Sequence, residues 1–131
     1  MPRILIMEDN LQLAFEWRDV FELNGHQVVL THSGEEAIEV LRGGGIDLVV
    51  SDLFVTNGKG GLSVIAALKI LGREAPPVIA VTGASSSIGD DEAENRFLAQ
   101  ARRLGASDSI KKPFLPAELV VLADSLLEAH C

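Results

Sequence analysis

The chain alternates between short runs of aliphatic, largely β-branched residues and longer stretches in which apolar residues recur every three or four positions. The short runs fall at Arg3–Met7, Gln27–Leu30, Asp47–Val50, Val78–Val81 and Asp108–Ile110, and their length and composition predict strands. Helical periods follow each of them. From Asn10 to Asn24, Leu13, Trp17, Val20 and Phe21 share one face, and Gly25 is a stop signal. The second helical segment opens at Ser33-Gly34-Glu35-Glu36, where a hydroxyl cap precedes acidic residues favoured by the helix dipole, and it ends in Gly43-Gly44-Gly45. A third runs from Gly60-Gly61 to Leu71. Asp90-Asp91-Glu92 opens a fourth, which Arg102-Arg103 and then Gly105 close. The fifth begins near Pro116 and ends at Ala129, with Leu119, Leu122 and Leu126 at three-and-four spacing.

Strands that alternate with helices in this way demand a parallel sheet covered on both faces, because right-handed crossovers place helices over each side. The expected fold is α/β: a doubly wound, five-stranded parallel sheet of flavodoxin type, strand order 2-1-3-4-5, with five helices. Ligands of such sheets bind beyond the carboxyl ends of the strands, where the strand order reverses. At those ends stand the acidic pair Glu8-Asp9, then Asp52, then Thr82, and Lys112 follows the last strand just before Pro113. Each residue alone has an ordinary explanation as a helix cap, a turn or a solvated loop. Their common edge makes them a candidate site.

Composition narrows the choice. With 131 residues, 47% hydrophobic and 23% charged, the expectation is one globular domain spanning 1–131. Eleven Lys+Arg against 19 Asp+Glu give a net charge of −8, which opposes direct binding to nucleic acid or to an anionic membrane. The lone Cys131 cannot form an internal disulfide, Met1-Pro2-Arg3 leads into the first strand without a signal-peptide pattern, and no apolar run approaches membrane-spanning length. A cytoplasmic location is therefore expected. His26, His32 and His130 lack metal-ligand spacing and read as surface or strand-end residues.

Two nucleotide-binding patterns fail on inspection. The stretch from Val81-Thr82-Gly83 to Ile88-Gly89 is similar to the glycine-rich loop of short-chain dehydrogenases, but Ser87 replaces the middle glycine and the loop follows the fourth strand instead of the first. The chain also has no tyrosine for that family's catalytic pair. Gly58-Lys59 lacks the upstream glycine spacing and following hydroxyl of a P-loop.

The order and spacing of a different set of pieces are specific. Ile4-Leu5-Ile6-Met7-Glu8-Asp9, Gly25-His26-Gln27-Val28, Ser33-Gly34-Glu35-Glu36-Ala37, Asp47 through Asp52, Val81-Thr82-Gly83, Gly105-Ala106 and Lys111-Lys112-Pro113-Phe114 together resemble the receiver domain of two-component response regulators from end to end. The resemblance implies that Asp52 is the phosphoacceptor, that Thr82 is the switch hydroxyl, and that Lys112, directly before Pro113, is the lysine that meets the transferred group. It also implies Mg2+, with Mn2+ as an alternative, held directly by Asp9 and Asp52, through water by Glu8, and by the backbone carbonyl of Phe54. Gly83 would leave room for the phosphoryl group beside the backbone, so that Thr82, Gly83 and Lys112 bind it.

These residue types suit that chemistry. A carboxylate is already a nucleophile at neutral pH. Clustered carboxylates raise one another's pKa unless a cation balances them, and Mg2+ prefers oxygen ligands. Lys112 would supply positive charge to the equatorial oxygens of the transferring group. The implied partners are a sensor histidine kinase or histidine phosphotransfer protein as donor, with small acyl phosphates as substitutes, and an unidentified downstream protein target. The resemblance leaves the oligomeric state open and makes the face of the fourth helix, fifth strand and fifth helix a candidate surface for a homodimer. Such a protein is not an enzyme toward other molecules; it catalyses only its own phosphorylation and dephosphorylation.

Several positions depart from the family. Ser109 stands three residues before the lysine, where the family carries an aromatic switch residue. Phe54 and Ala84 occupy the positions that tune access of water to the acyl phosphate, Thr56 replaces a usual proline, and residues 84–91 lengthen the loop after Thr82. These departures motivate an alternative reading, a receiver-like interaction module that works independently of phosphorylation. A phosphohydrolase of the haloacid dehalogenase kind is disfavoured, because Phe54 stands where those enzymes place an acidic residue.

Overall fold

Each strand is read on two faces because successive side chains of a strand point to opposite sides. The computed structural model describes residues 1–52, 76–82, 99, 102–103, 105–112 and 114–129. In chain order these form β1 (Arg3–Met7), α1 (Leu11–Leu23), β2 (Gln27–Thr31), α2 (Gly34–Arg42), β3 (Leu48–Asp52), β4 (Val78–Thr82), β5 (Asp108–Lys111) and α3 (Pro116–Ala129), the last being the fifth of the expected helices. The third expected helix and most of the fourth lie outside the described residues, although Ala99, Arg102 and Arg103 are helical. Phe54, Gly83, Ala84, Pro113, His130 and Cys131 also lie outside them.

The strands form one five-stranded sheet in the order β2-β1-β3-β4-β5, every neighbouring pair parallel. This is the expected order. Ile4 and Ile6 of β1, Leu48 and Val50 of β3, and Ile79 and Val81 of β4 face α1 and α3, meeting Trp17, Phe21, Leu119, Val120 and Ala123. The alternate residues Leu5, Met7, Val49, Val78 and Ala80 face the opposite way and meet Ala37 and Leu41 of α2. All residues of β3 and β4 are buried, as a sheet covered on both sides requires.

The helix boundaries follow the sequence signals. The Asn10 side chain accepts the backbone N–H of Leu13 at 3.2 Å and caps α1. Asn24 ends the helix, and Gly25 reverses the chain at φ +86°, a left-handed conformation that a Cβ disfavours. Ser33 caps α2 by accepting the Glu36 N–H at 3.2 Å. Ser33→Ala should lower stability by about 1 kcal/mol, read as an earlier urea midpoint with an unchanged slope. Gly105, at φ +114°, follows the helical pair Arg102-Arg103 and donates its N–H to the Arg102 carbonyl at 3.1 Å.

The strands run further than hydrophobicity suggests. β2, β3, β4 and β5 extend to Thr31, Asp52, Thr82 and Lys111, one or two residues beyond the apolar runs. Ladder hydrogen bonds are made by the backbone, so they continue into polar residues as long as a neighbouring strand is present. Asp52 and Thr82 are thus held inside the sheet's last rungs, opposite Val81 and Lys111 respectively.

Candidate functional site

The carboxyl edge of the sheet gathers residues from four strands. Glu8 leaves β1 directly; its N–H donates to the Thr31 carbonyl at 3.1 Å, and the Thr31 hydroxyl donates back to the Ile6 carbonyl at 2.9 Å. These bonds fix the exit of β1 against the end of β2. Asp9 follows, half-buried, just before the cap of α1. Asp52 ends β3, and Thr82 ends the neighbouring β4. Lys112 comes directly after β5, and its backbone N–H donates to the Thr82 carbonyl at 2.8 Å. Glu8, Asp52 and Thr82 are 0%, 1% and 2% exposed, so they do not belong to a solvated rim.

Lys112 ties the acids together. Its Nζ donates to Glu8 Oε1 at 2.6 Å and to Asp52 Oδ2 at 2.9 Å, with only 12% of its side chain exposed. Carboxylate oxygens of Glu8, Asp9 and Asp52 lie within 4.8 Å of one another. Two of the three acids, Glu8 and Asp52, therefore share the Lys112 ammonium group. Burial, followed by the hydrogen bond and negative charge of Asp52, pushes the Glu8 carboxyl up to about 8, and Lys112 offsets only part of that rise. Burial works against the Lys112 charge, but its bonds to the two acids prevail and hold the ammonium above its usual range. The raised value means that Glu8 holds a proton more readily than a free carboxyl does, which offsets part of the cluster's negative charge.

The donor set suits a hard divalent ion: three carboxylates offer oxygen ligands only, and the surplus negative charge is what such an ion neutralises. Every described residue expected at the site lies at this edge, and Glu8, Asp9, Asp52 and Lys112 are brought into one cluster. Glu8 makes a direct ion pair with Lys112 that its expected water-mediated role did not include. Phe54 and Gly83 lie outside the described residues.

Two neighbours of the site, Trp17 and His32, were not legible as such, and a third residue, His26, is buried away from it. Trp17 of α1 lies beneath the Lys112 ammonium, which is 5.6 Å from its ring centroid, and it stacks on Phe114 at 5.4 Å and 28°. Its helical spacing marks it as a core residue and carries no sign of this contact. His32, exposed after β2, reaches the Glu8 carbonyl with Nδ1 at 3.3 Å. His26 sits at the opposite edge, buried, with Nε2 2.8 Å from Asp124 of α3. It is a strand-end residue as expected, but it is not on the surface.

Residues 4–124 match the family model of the response regulator receiver domain, and the chain belongs to that family. It is 31% identical over 127 residues to the transcriptional regulatory protein CpxR of Escherichia coli K12, covering 97% of this chain and 50% of that protein. It is 29% identical to the response regulator SaeR of Staphylococcus aureus USA300, covering 97% of this chain and 51% of the relative. The chain thus spans about half the length of the curated relatives it matches. Among solved structures, the receiver domain of the TMAO respiratory system response regulator TorR superposes with a TM-score of 0.81 at 27% identity, each chain covered in full (100%). The signal receiver domain of a histidine kinase from Syntrophus aciditrophicus gives 0.81 at 27% identity, covering 98% of this chain and 92% of that one. This chain is accordingly a receiver domain of the two-component kind. Among the described residues no helix is long and apolar enough to cross a membrane.

Proposed function

We propose that Asp52 accepts a phosphoryl group from a histidine kinase or histidine phosphotransfer protein and that the resulting charge changes the domain's contacts with a downstream protein. The observation that carries this reading is the Lys112 ammonium held between Glu8 and Asp52 at 2.6 and 2.9 Å. It fixes one positive charge beside the nucleophile, where the equatorial oxygens of an incoming phosphoryl group accumulate negative charge.

Asp52 needs no base, since a carboxylate oxygen attacks phosphorus directly and the donor's imidazole or carboxylate leaves with the bonding electrons. Glu8, Asp9 and Asp52, with the Phe54 carbonyl, would hold Mg2+, or Mn2+ in its place. The ion supplies Lewis-acid stabilisation of the phosphoryl oxygens. Lys112 passes from its pairing with Glu8 toward the new phosphoryl oxygens. Thr82, whose carbonyl accepts the Lys112 N–H, would donate its hydroxyl to the same group, and Gly83, a residue without a Cβ, is the expected further contact of that group. The domain thereby catalyses its own modification only. The net charge of −8 favours output through protein contacts over direct nucleic-acid binding, and a phosphorylation-induced homodimer through the face that includes β5 and α3 is one form of that output.

Incubating the protein with Mg2+ and acetyl phosphate tests the reading by intact mass. One added phosphoryl group is expected in wild type and none in Asp52→Ala. Absence of label in wild type at saturating donor overturns the proposal.

A further inference from the structure

Lys112 meets a third surface besides its two carboxylate partners. Its Nζ stands 5.6 Å from the centroid of the Trp17 ring, inside the range in which an ammonium is attracted by the negative face of an indole. Trp17 is 2% exposed, and Lys112 keeps only 12% of its side chain in water, so the contact is largely desolvated. The ring also stacks with Phe114, at 5.4 Å and 28°, two residues beyond Lys112 on the same connection. A lysine has a flexible four-carbon stem and delivers a point charge with little built-in direction. Something must limit where that charge goes.

We infer that Trp17 is a positioning residue for Lys112, its indole face forming the wall along which the ammonium moves between the carboxylates and the phosphoryl group on Asp52. The inference rests on the phosphoacceptor reading of Asp52 and goes beyond it by assigning a role to a side chain of α1. The ordinary role of Trp17 as a core residue is also real, since Ile6, Phe21, Val50 and Leu119 belong to the same buried cluster. A purely packing role, however, needs apolar volume at position 17 and no aromatic face. When Lys112 leaves Glu8, an aliphatic neighbour would offer it nothing in exchange, whereas the indole keeps part of its electrostatic stabilisation in place. Phe114 then makes the ring's position depend on the junction between β5 and α3, so a displacement of Lys112 is felt at both α1 and that junction. With Ser109 in place of the family's aromatic switch residue, this aromatic pair is a contact through which the site can act on its surroundings.

The test compares Trp17→Leu, which keeps apolar volume, with Trp17→Phe, which restores a weaker aromatic face, in the full chain. Folding is checked by circular dichroism, Lys112 by the ring-current shifts of its ε-methylene signals, and chemistry by the rate of acetyl phosphate labelling at saturating Mg2+. The Leu variant should lose the ring-current shift and label about three- to tenfold more slowly, the span of a partly desolvated cation–π contact, with Phe in between. A Leu variant that labels at the wild-type rate overturns the inference. Should Leu fail to fold, Phe decides, because wild-type labelling and unshifted Lys112 signals in Trp17→Phe contradict a positioning role. If wild type itself takes no label, the phosphoacceptor reading fails instead, so the two failures are distinct.

Discussion

Lys112→Met should lower the stability of the metal-free protein by about 3 kcal/mol and abolish labelling by acetyl phosphate. Methionine fills a similar volume, so packing against Trp17 is largely kept. The ammonium that pairs with Glu8 and Asp52 is lost, and both acids remain almost fully buried. Breaking a buried ion pair from one side leaves an uncompensated charge, typically worth about 3–5 kcal/mol. The lower end applies because Glu8 can neutralise itself by keeping its proton. Urea unfolding in EDTA measures the loss, and saturating Mg2+ should recover much of it by supplying a cation to the same oxygens. A Lys112→Met protein as stable in EDTA as wild type would show that Lys112 does not hold the acidic cluster together.

The second large effect is a pH dependence with an unusual sign for an acid. Glu8 has an ordinary carboxyl value of 4.5 when exposed and about 8 in the folded protein. Between those two values the folded state holds a proton that the unfolded state has released, so unfolding becomes easier as pH rises. The stabilising contribution is fully present below 4.5 and is lost as pH climbs through about 8, a change on the order of a few kcal/mol. Urea titrations of the metal-free protein at intervals across that window should show the decline. Glu8→Gln, which keeps the shape and removes the titration, should flatten it, and so should Mg2+, which removes the need for the proton. A wild-type curve that rises across the window would mean that Lys112 outweighs burial and Asp52 at Glu8.

What could be read in advance depended on which force set each feature. The two-faced core follows from apolar periodicity, so Leu119 and the pair Trp17 and Phe21 were legible as core residues, whereas the sheet order was legible only through the flavodoxin-type resemblance. The caps Asn10 and Ser33 and the stops at Gly25 and Gly43 were legible because they act within a few residues of themselves. Strand ends fall short in the sequence, because backbone pairing carries Asp52 and Thr82 into the ladder where hydrophobicity has already stopped. The candidate site was legible as an edge, since Glu8, Asp9, Asp52, Thr82 and Lys112 each follow or end a strand. The Lys112–Glu8 pairing and the contact with Trp17 were not, because they depend on side-chain directions across distant elements. The burial of His26 against Asp124 was hidden for the same reason; no local pattern signals a partner 98 residues away.

The separation between Glu8 and Lys112, 104 residues along the chain, bears on how the protein is made. Synthesis delivers Glu8, Asp9 and Asp52 before β5 exists, so a nascent chain carries these acids without the Lys112 ammonium that pairs with two of them. The last strand supplies that charge and, through the Lys112 N–H to Thr82 bond, also locks the hydroxyl's strand to its neighbour. On the proposed reading of Asp52, competence to accept a phosphoryl group therefore arrives together with completion of the sheet, because a chain that stops short of β5 lacks the Lys112 that pairs with Glu8 and Asp52.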